Sequence, residues 1–244
     1  MAKNLIKIGW IPNDGAISPM QFLPEPLSKI FATDGSSPIH RCPAVLDANK
    51  QFFAIRAPVD IEIMVQKNDG VVTLSGIPNT VGKTGFKDYT DMFVLSTTAS
   101  GRYIDKPLMQ FKMAMSFLSD TPDVYMTLLP PFLHPTKGTE NVRYIPGRFN
   151  IYDWPARHIN LALEWLKIGV PLIIKRGEPI LYVQFQHTDP EARFAIIECD
   201  RTEAIQRMEL NSEVANKVIR GTRMMMKLFG KRRPKKLMVP TREE

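Results

Sequence analysis

Two histidines are the residues of this sequence best suited to metal chemistry. His158 and His187 lie in or beside its most strongly patterned stretch, residues 143–186. The carboxylates that could line a small barrel together with them are Asp153, Glu164 and Glu178. Small barrel enzymes bind iron or manganese through two or three histidines and a carboxylate, which leaves coordination positions open for substrate. Such sites usually place His-x-His or His-x-Asp on one strand, whereas the second residue after His158 is an asparagine. We therefore expect ordinary structural or surface histidines, with a metal-dependent, cupin-like enzyme as an alternative.

The segment GIPNTVGKT, residues 76–84, is similar to a phosphate-binding loop but departs from its spacing. Such a loop needs four residues between its glycines so that the backbone amides converge on one anion. Here five residues separate Gly76 from Gly82, and Pro78 has no amide hydrogen. No G-x-S-x-G elbow occurs, and two distant cysteines, Cys42 and Cys199, suit neither a disulfide framework nor a zinc site. The sequence therefore assigns no catalytic residue and no cofactor.

Arg148, Tyr152 and Trp154 form an aromatic and basic group that allows two interpretations. Aromatic rings beside a cation can stack on a nucleobase or a glycan. Pro155 and Gly147 flank the group, however, and mark the corners of a sheet. We expect these side chains to pack such a corner.

The positive charge of the chain is concentrated near its C-terminus. The net charge is +7, and nine cations without an intervening acid lie between residues 217 and 236: Lys217, Arg220, Arg223, Lys227, Lys231, Arg232, Arg233, Lys235 and Lys236. The remainder of the chain is close to neutral. Such an arm can neutralise phosphates of a nucleic acid, dock on an acidic protein surface, or only solvate a helix. Apolar residues interleaved with the cations, 224–226 and 228–229, indicate an apolar stripe that contacts either a partner or the body of the same chain.

Short runs of alternating apolar residues between Pro and Gly turns predict many β-strands. Twenty prolines spread along 244 residues also argue against long helices. The predicted strands are Leu5–Ile11, Gln51–Ala57, Val59–Gln66, Val71–Leu74, Met92–Ser96, Leu108–Phe117, Val124–Leu129, Ile159–Trp165, Val170–Lys175, Ile180–Gln186 and Arg193–Cys199. In the strand 108–117 a methionine-rich face is predicted to be core.

Helical periodicity begins after the last strand. Asp200 is predicted to cap a helix, with Glu203 three residues later, and Gly230 to end the helical segment. We therefore predict a mainly β fold, a β-sandwich or jelly-roll-like body with a C-terminal helix and a basic tail. Its parts are a strand with a proline-rich arm (1–43), the body (44–200), the helical segment (201–230) and the tail (231–244).

Two stretches carry a resemblance to a known family. RCPAVLDANKQFFAIRAPVDIEI (Arg41–Ile63) and PGRFNIYDWPARHINLALEW with GEPILYVQF (Pro146–Phe185) resemble an uncharacterised domain family found in bacteria and tailed phages, including marine ones. The resemblance covers roughly residues 40–200. Its motifs are structural, so it implies a jelly-roll-like fold and a viral origin but no activity and no site residue.

These observations lead to three hypotheses. The first is a non-enzymatic assembly protein of a phage particle that interacts through its terminal arms with itself or other virion proteins. The others are a nucleic-acid-binding accessory protein and the metal-dependent enzyme described above. The N-terminal apolar run is too short for a signal peptide, and no apolar span reaches the roughly 18 residues of a membrane helix. We therefore expect a protein of the host cytoplasm or of the virion, without membrane contact.

Overall fold

The computed structural model describes residues 4–12, 20–33, 42–68, 71–75, 93–96, 107–134, 136–217, 224–225, 228 and 230–242. Fourteen strands and three α-helices lie within these ranges. The strands are β1 (Leu5–Pro12), β2 (Glu25–Pro26), β3 (Phe52–Arg56), β4 (Ile61–Asn68), β5 (Val71–Ser75), β6 (Phe93–Ser96), β7 (Leu108–Leu118), β8 (Tyr125–Leu129), β9 (Val142–Ile145), β10 (Gly147–Asn150), β11 (Arg157–Trp165), β12 (Leu172–Ile174), β13 (Pro179–Gln186) and β14 (Arg193–Glu198). The helices are α1 (Leu27–Thr33), α2 (Pro43–Asn49) and α3 (Glu203–Lys217). The fold is mainly β with a C-terminal helix, which confirms the predicted fold class.

Three sheets make up the body. The first sheet has the order β14-β1-β7-β11-β9, with β6 also paired to β7. The second sheet has the order β10-β8-β13-β3-β2, and the third has the order β12-β4-β5. All strand pairs are antiparallel except β1 with β14, which is parallel. The predicted N-terminal strand therefore lies inside the first sheet, between strands from distant parts of the chain.

The main core lies between the sheets. In β7, Met109, Phe111 and Met113 are buried while the residues between them are exposed, so the methionine-rich face is core, as predicted. Phe117 of the first sheet and Phe185 of the second meet edge to face, with ring centroids 5.6 Å apart. This geometry suits aromatic pairs and fixes the two layers against each other.

The opposite face of the second sheet is covered by helices. Leu27 of α1 packs with Phe52, Ala54 and Tyr182 of this sheet in a separate buried cluster. Helix α2 was not predicted, because its seven residues are too few to show helical periodicity against the preceding Cys-Pro turn. The short strands β9 and β10 were also missed. No helix among the described residues is long and apolar enough to cross a membrane.

The predicted turn between β12 and β13 is a tight connection with three anchors. Gly177 has a φ of 86°, which favours glycine, and its amide donates to Ala57 O at 2.9 Å. The Glu178 carboxylate accepts from the amide of Lys175 at 2.7 Å, and Glu178 O accepts from the amide of Ala57 at 2.8 Å. The Gly-Glu-Pro turn thus acts as a structural connection.

Candidate interaction surface

Helix α3 begins at Glu203 and is capped by its preceding residue. The Thr202 hydroxyl accepts a hydrogen bond from the amide of Ile205 at 3.4 Å. The predicted cap, Asp200, lies two residues before Thr202, so that detail of the prediction was wrong. The buried face of α3 carries Ile205 and Met208, which pack on the outer side of the first sheet with Ile11 and other residues.

The chain beyond α3 returns to the body and extends its first sheet. Cys199, just after β14, forms an antiparallel bridge with Pro240. The amide of Asp200 donates to Val239 O at 2.8 Å, and the amide of Thr241 donates to Glu198 O at 3.1 Å. Leu237 is 2% exposed in the same cluster as the buried face of α3. The predicted tail is therefore packed against the body over these residues.

Arg233 anchors this returning segment through a buried ion pair. Its Nη2 lies 2.7 Å from Asp120 Oδ1, and the Arg233 side chain is 2% exposed. Asp120 Oδ1 also accepts from the amide of Leu237 at 2.9 Å, and Oδ2 accepts from the amide of Met238 at 3.0 Å. One carboxylate thus holds both a buried cation and two backbone amides, which satisfies most of its acceptor capacity.

The other guanidinium donors of Arg233 are occupied as well. Nη1 donates to Ser119 O at 2.9 Å and to Tyr152 O at 2.8 Å, while Nε donates to Pro234 O at 3.0 Å. The guanidinium carbon also lies 4.0 Å from the centre of the Tyr152 ring. Arg233 is one of the nine cations predicted to bind a partner, and in the structure it instead binds the body of its own chain.

Four further predicted cations lie on the outside of the anchored segment. Lys231, Arg232, Lys235 and Lys236 are exposed, and no ion pair joins them to a residue that the structure describes. Lys217 is the last residue of α3. Arg220, Arg223 and Lys227 lie outside the described residues, as do Gly76–Thr84 of the loop similar to a phosphate site.

Gly230 precedes this segment at a point of close backbone approach. A Cβ added there would lie 2.8 Å from Asp153 O. Glycine is therefore needed at this position because the returning chain passes directly against the turn at Asp153, where a side chain has no room.

The side of α3 that faces away from the body carries a mixed stripe, which we call the outer face. It consists of Glu203, Arg207, Leu210 and Val214, spaced four, three and four residues apart. This spacing places all four on one side of a helix. Leu210 is 60% exposed and Val214 is 50% exposed, while Glu203 and Arg207 are exposed. The apolar centre of the outer face is therefore open to solvent.

The two candidate metal-binding histidines belong to different parts of the fold. His158 is in β11 of the first sheet, and His187 follows β13 of the second. His187 Nδ1 accepts a hydrogen bond from the amide of Asp189 at 3.0 Å, which is a turn contact. In the part of the chain that the structure describes, no group of three or more His, Cys, Asp or Glu side chains could hold a metal ion.

The aromatic and basic group of residues 148–154 packs against neighbouring side chains. The Trp154 ring lies 4.1 Å from the guanidinium carbon of Arg157, and its Nε1 donates to Ser212 Oγ of α3 at 2.9 Å. Arg148 lies 4.1 Å above the Tyr125 ring. These contacts agree with the predicted packing of a sheet corner.

Asp120 is the site residue that sequence reasoning missed. It lies 113 residues from Arg233, in the connection between the predicted strands Leu108–Phe117 and Val124–Leu129. Nothing in its local sequence distinguishes it from a solvent-exposed turn aspartate. Comparison of the chain with protein-family models and with curated proteins finds no match. The resemblance described above therefore stays a prediction.

Proposed function

We propose that the protein is a non-enzymatic assembly protein that pairs with a second copy of itself through the outer face of α3. The observation that carries this proposal is the pair of exposed apolar residues, Leu210 and Val214, at the centre of that face. The helix is held from its other side. Covering its exposed leucine and valine with a partner removes apolar surface from water and so lowers the free energy of the complex. Contacts between identical copies are the commonest way in which soluble proteins assemble.

The charges of α3 complement an antiparallel copy of the same helix. If the twofold axis passes beside Leu210, position 203 of one copy lies at the level of position 217 of the other, and position 207 lies at the level of position 213. In the sequence these positions combine Glu with Lys and Arg with Glu. A twofold contact repeats each pair, so four opposite-charge pairs flank the apolar centre. A parallel copy would instead place like charges opposite each other. The outer face therefore suits an antiparallel twin.

The anchor at Arg233 supports this role by making the helix a rigid platform. Ser212 accepts a hydrogen bond from Trp154 on one side of α3. The segment ending at Thr241 packs with the buried face of α3 in one apolar cluster. A preorganised surface loses little conformational entropy on association. The resemblance to a family of bacteria and tailed phages extends the proposal to a component of a phage particle, and that extension rests on the resemblance alone.

Sedimentation velocity over a range of protein concentrations tests the pairing. We expect a reversible dimer for the full chain and a monomer for the double variant Leu210→Glu/Val214→Glu, because buried carboxylates would oppose the contact. Leu46→Glu is the matched control, since Leu46 is an exposed leucine on α2 and is 42% exposed. A wild-type chain that stays monomeric at the highest soluble concentration would overturn the proposal.

A charge exchange tests the antiparallel geometry separately. Glu203→Lys should weaken the dimer because it places two lysines opposite each other, and Lys217→Glu should do the same with two glutamates. The double variant Glu203→Lys/Lys217→Glu should restore dimerisation. Failure of the double variant to restore it, with helix content unchanged by circular dichroism, would exclude this arrangement.

A second candidate function is nucleic-acid binding, favoured by the four exposed cations at residues 231, 232, 235 and 236. Four neutralised phosphates predict a slope of about −3.6 for the logarithm of the duplex-DNA binding constant against the logarithm of salt concentration. Replacing the four cations with glutamine should abolish binding. The matched control replaces four exposed lysines elsewhere, Lys29, Lys67, Lys137 and Lys167, with glutamine. Equal binding by both variants would exclude this role. Truncation is unsuitable because Arg233 and Leu237 are part of the packed structure.

A further inference from the structure

A polar cleft lies between the first sheet and the part of α3 that carries Glu209, Ser212 and Glu213, beside the apolar cluster. Its volume is about 620 Å³, and its walls come from β7, from β11 with the residue before it, and from α3. Lys112 of β7 lies directly across from Asn160 of β11 in the strand register, and both line the cleft. Small-molecule sites typically have volumes of about 300–1,000 Å³. The cleft is therefore large enough for a nucleotide-sized ligand.

Arg157 places a fixed cation in this cleft. Its guanidinium carbon lies 4.0 Å from the centre of the Phe149 ring and 4.1 Å from that of the Trp154 ring. Burial lowers the pKa of Arg157 to about 10, so the side chain is still charged at neutral pH. No hydrogen bond or ion pair joins its guanidinium to any described residue. A planar cation held by aromatic faces with its donors unused is suited to bind a carboxylate or a phosphate.

Glu209 places a buried acceptor on the α3 wall of the same cleft. The residue is 4% exposed, and its Oε2 accepts from Arg201 Nε at 2.8 Å and lies 2.7 Å from Arg201 Nη2. Its Oε1 is buried and has no hydrogen-bond partner in the described structure. An unpaired buried carboxylate oxygen is costly and is normally satisfied by a donor.

His158 adds a second unsatisfied atom to the cleft. Its Nε2 is buried without a hydrogen-bond partner among the described residues, although the residue lines the cleft. Ser116 lies across from it in the strand register, and the Ser116 hydroxyl also has no partner in the described structure. The two side chains are thus not hydrogen-bonded as a nucleophile and its base would be. This arrangement favours ligand binding over nucleophilic catalysis.

We propose that the cleft binds a small amphoteric ligand, whose anionic group is held by Arg157 and Lys112 and whose N–H or ammonium group is held by Glu209. Arg157 supplies a directional fork and Lys112 a second positive charge, so they suit a phosphate or a carboxylate. Glu209 accepts from amide, amino or ring N–H groups. Nucleotides and amino acids share this combination of an anion with nitrogen donors. The cleft volume favours the larger of the two.

Isothermal titration calorimetry of the full chain tests the proposal with defined probes. The nucleotide arm uses guanosine, adenosine and cytidine monophosphates, and the amino-acid arm uses glutamine, arginine and glutamate. Inorganic phosphate alone is the third probe. We expect saturable binding in one of the first two arms and binding of phosphate that is at least about tenfold weaker, because inorganic phosphate has no N–H or ammonium group for Glu209. Absence of saturable binding in both arms overturns the proposal.

Variants then tie the binding to the cleft. Lys112→Ala changes an exposed residue and should fold as the wild type does. Glu209→Gln keeps the shape of the side chain but removes the charge paired with Arg201, so its fold is checked by circular dichroism before titration. Each should weaken the best probe by about tenfold or more, as expected for loss of a charge-assisted hydrogen bond. Lys167→Ala, at an exposed lysine outside the cleft, should leave affinity unchanged. Unchanged affinity in both cleft variants overturns the assignment, as does phosphate binding that equals that of the best probe.

Discussion

The guanidinium of Arg233 and the carboxylate of Asp120 form the ion pair that joins the C-terminal segment to the β body. The two side chains are 113 residues apart in sequence, and their atoms approach to 2.7 Å with the Arg233 side chain only 2% exposed. Three backbone carbonyls and two backbone amides complete the network around them. Because almost every donor and acceptor in it is satisfied, the pair escapes much of the usual penalty for buried charge.

Removal of either member of this pair should strongly destabilise the protein. Asp120→Ala leaves a buried cation and two free amides, and we expect a loss of about 3–5 kcal/mol in the free energy of unfolding. Arg233→Ala should cost a similar amount. The measurement is urea unfolding followed by circular dichroism. Arg232→Ala is the matched control, since this neighbouring arginine is exposed, and it should change stability by less than about 0.5 kcal/mol. Equal effects at positions 232 and 233 would contradict the anchor.

Cys199 should report release of the C-terminal segment. It is 3% exposed beneath Pro240, and burial, with Asp120 and Asp200 nearby, raises the pKa of its thiol to about 11. Since the thiolate is the reactive form, we expect very slow alkylation at pH 8 in a Cys42→Ser chain. Asp120→Ala should accelerate this alkylation by releasing the segment.

Asp120→Ala could accelerate alkylation in two ways, by releasing the C-terminal segment and by removing a negative charge near the thiol. Asp200→Asn tests the second effect. It removes a neighbouring negative charge but leaves the anchor intact, so it reports the electrostatic effect alone. We expect a much smaller acceleration than in Asp120→Ala, measured by mass spectrometry of the alkylated chain. Equal rates in the two variants would mean that the segment does not control access to Cys199.

Stability should fall at alkaline pH because buried groups in the folded chain hold their protons more tightly. Burial raises the pKa of Tyr144 and of Tyr182 above 10.0, and that of Cys199 above 9.0. The unfolded chain releases these protons first, so the contribution of these three groups to the free energy of unfolding should be constant between neutral pH and pH 9.0 and decrease above it. Arg157, whose pKa burial lowers to about 10, opposes part of this decrease above pH 10. Thermal midpoints between neutral and strongly alkaline pH check this. In Tyr144→Phe the thermal midpoint should decrease less steeply with pH above 10.0 than in the wild type. An equal slope in the two chains would refute the contribution of Tyr144.

Local sequence pattern predicted most strands of this fold because each is bounded by a turn signal and shows its own alternation. The strand 108–117 and the Gly177 turn were recognisable in this way. The order of strands was not, since β1 pairs with β7 and β14, which lie far along the chain. Partner choice depends on packing between distant segments, and the periodicity of one segment does not record it.

The same limit applies to the interaction surface. The run KRRPKK, residues 231–236, presents five cations that look equivalent in sequence. In the structure Arg233 is buried against Asp120, while Lys231, Arg232, Lys235 and Lys236 are exposed. Only the fold separates the anchor from its neighbours, because the distinguishing contact comes from a turn more than a hundred residues earlier. The sequence predicted that α3 is a helix, but it did not predict which side of that helix is left uncovered.

Trp154 and Ser212 should behave as a coupled pair that links the cleft to α3. The indole Nε1 donates to Ser212 Oγ at 2.9 Å, and the same ring holds the Arg157 guanidinium. Ser212→Ala should cost about 1 kcal/mol of unfolding free energy, and Trp154→Phe should cost more because it also removes ring area. In the double variant the hydrogen bond is lost only once. Its loss of unfolding free energy should therefore be about 1 kcal/mol smaller than the sum of the losses in the two single variants. Urea unfolding of the four chains measures this coupling, and strict additivity would show that the bond does not stabilise the seating of α3.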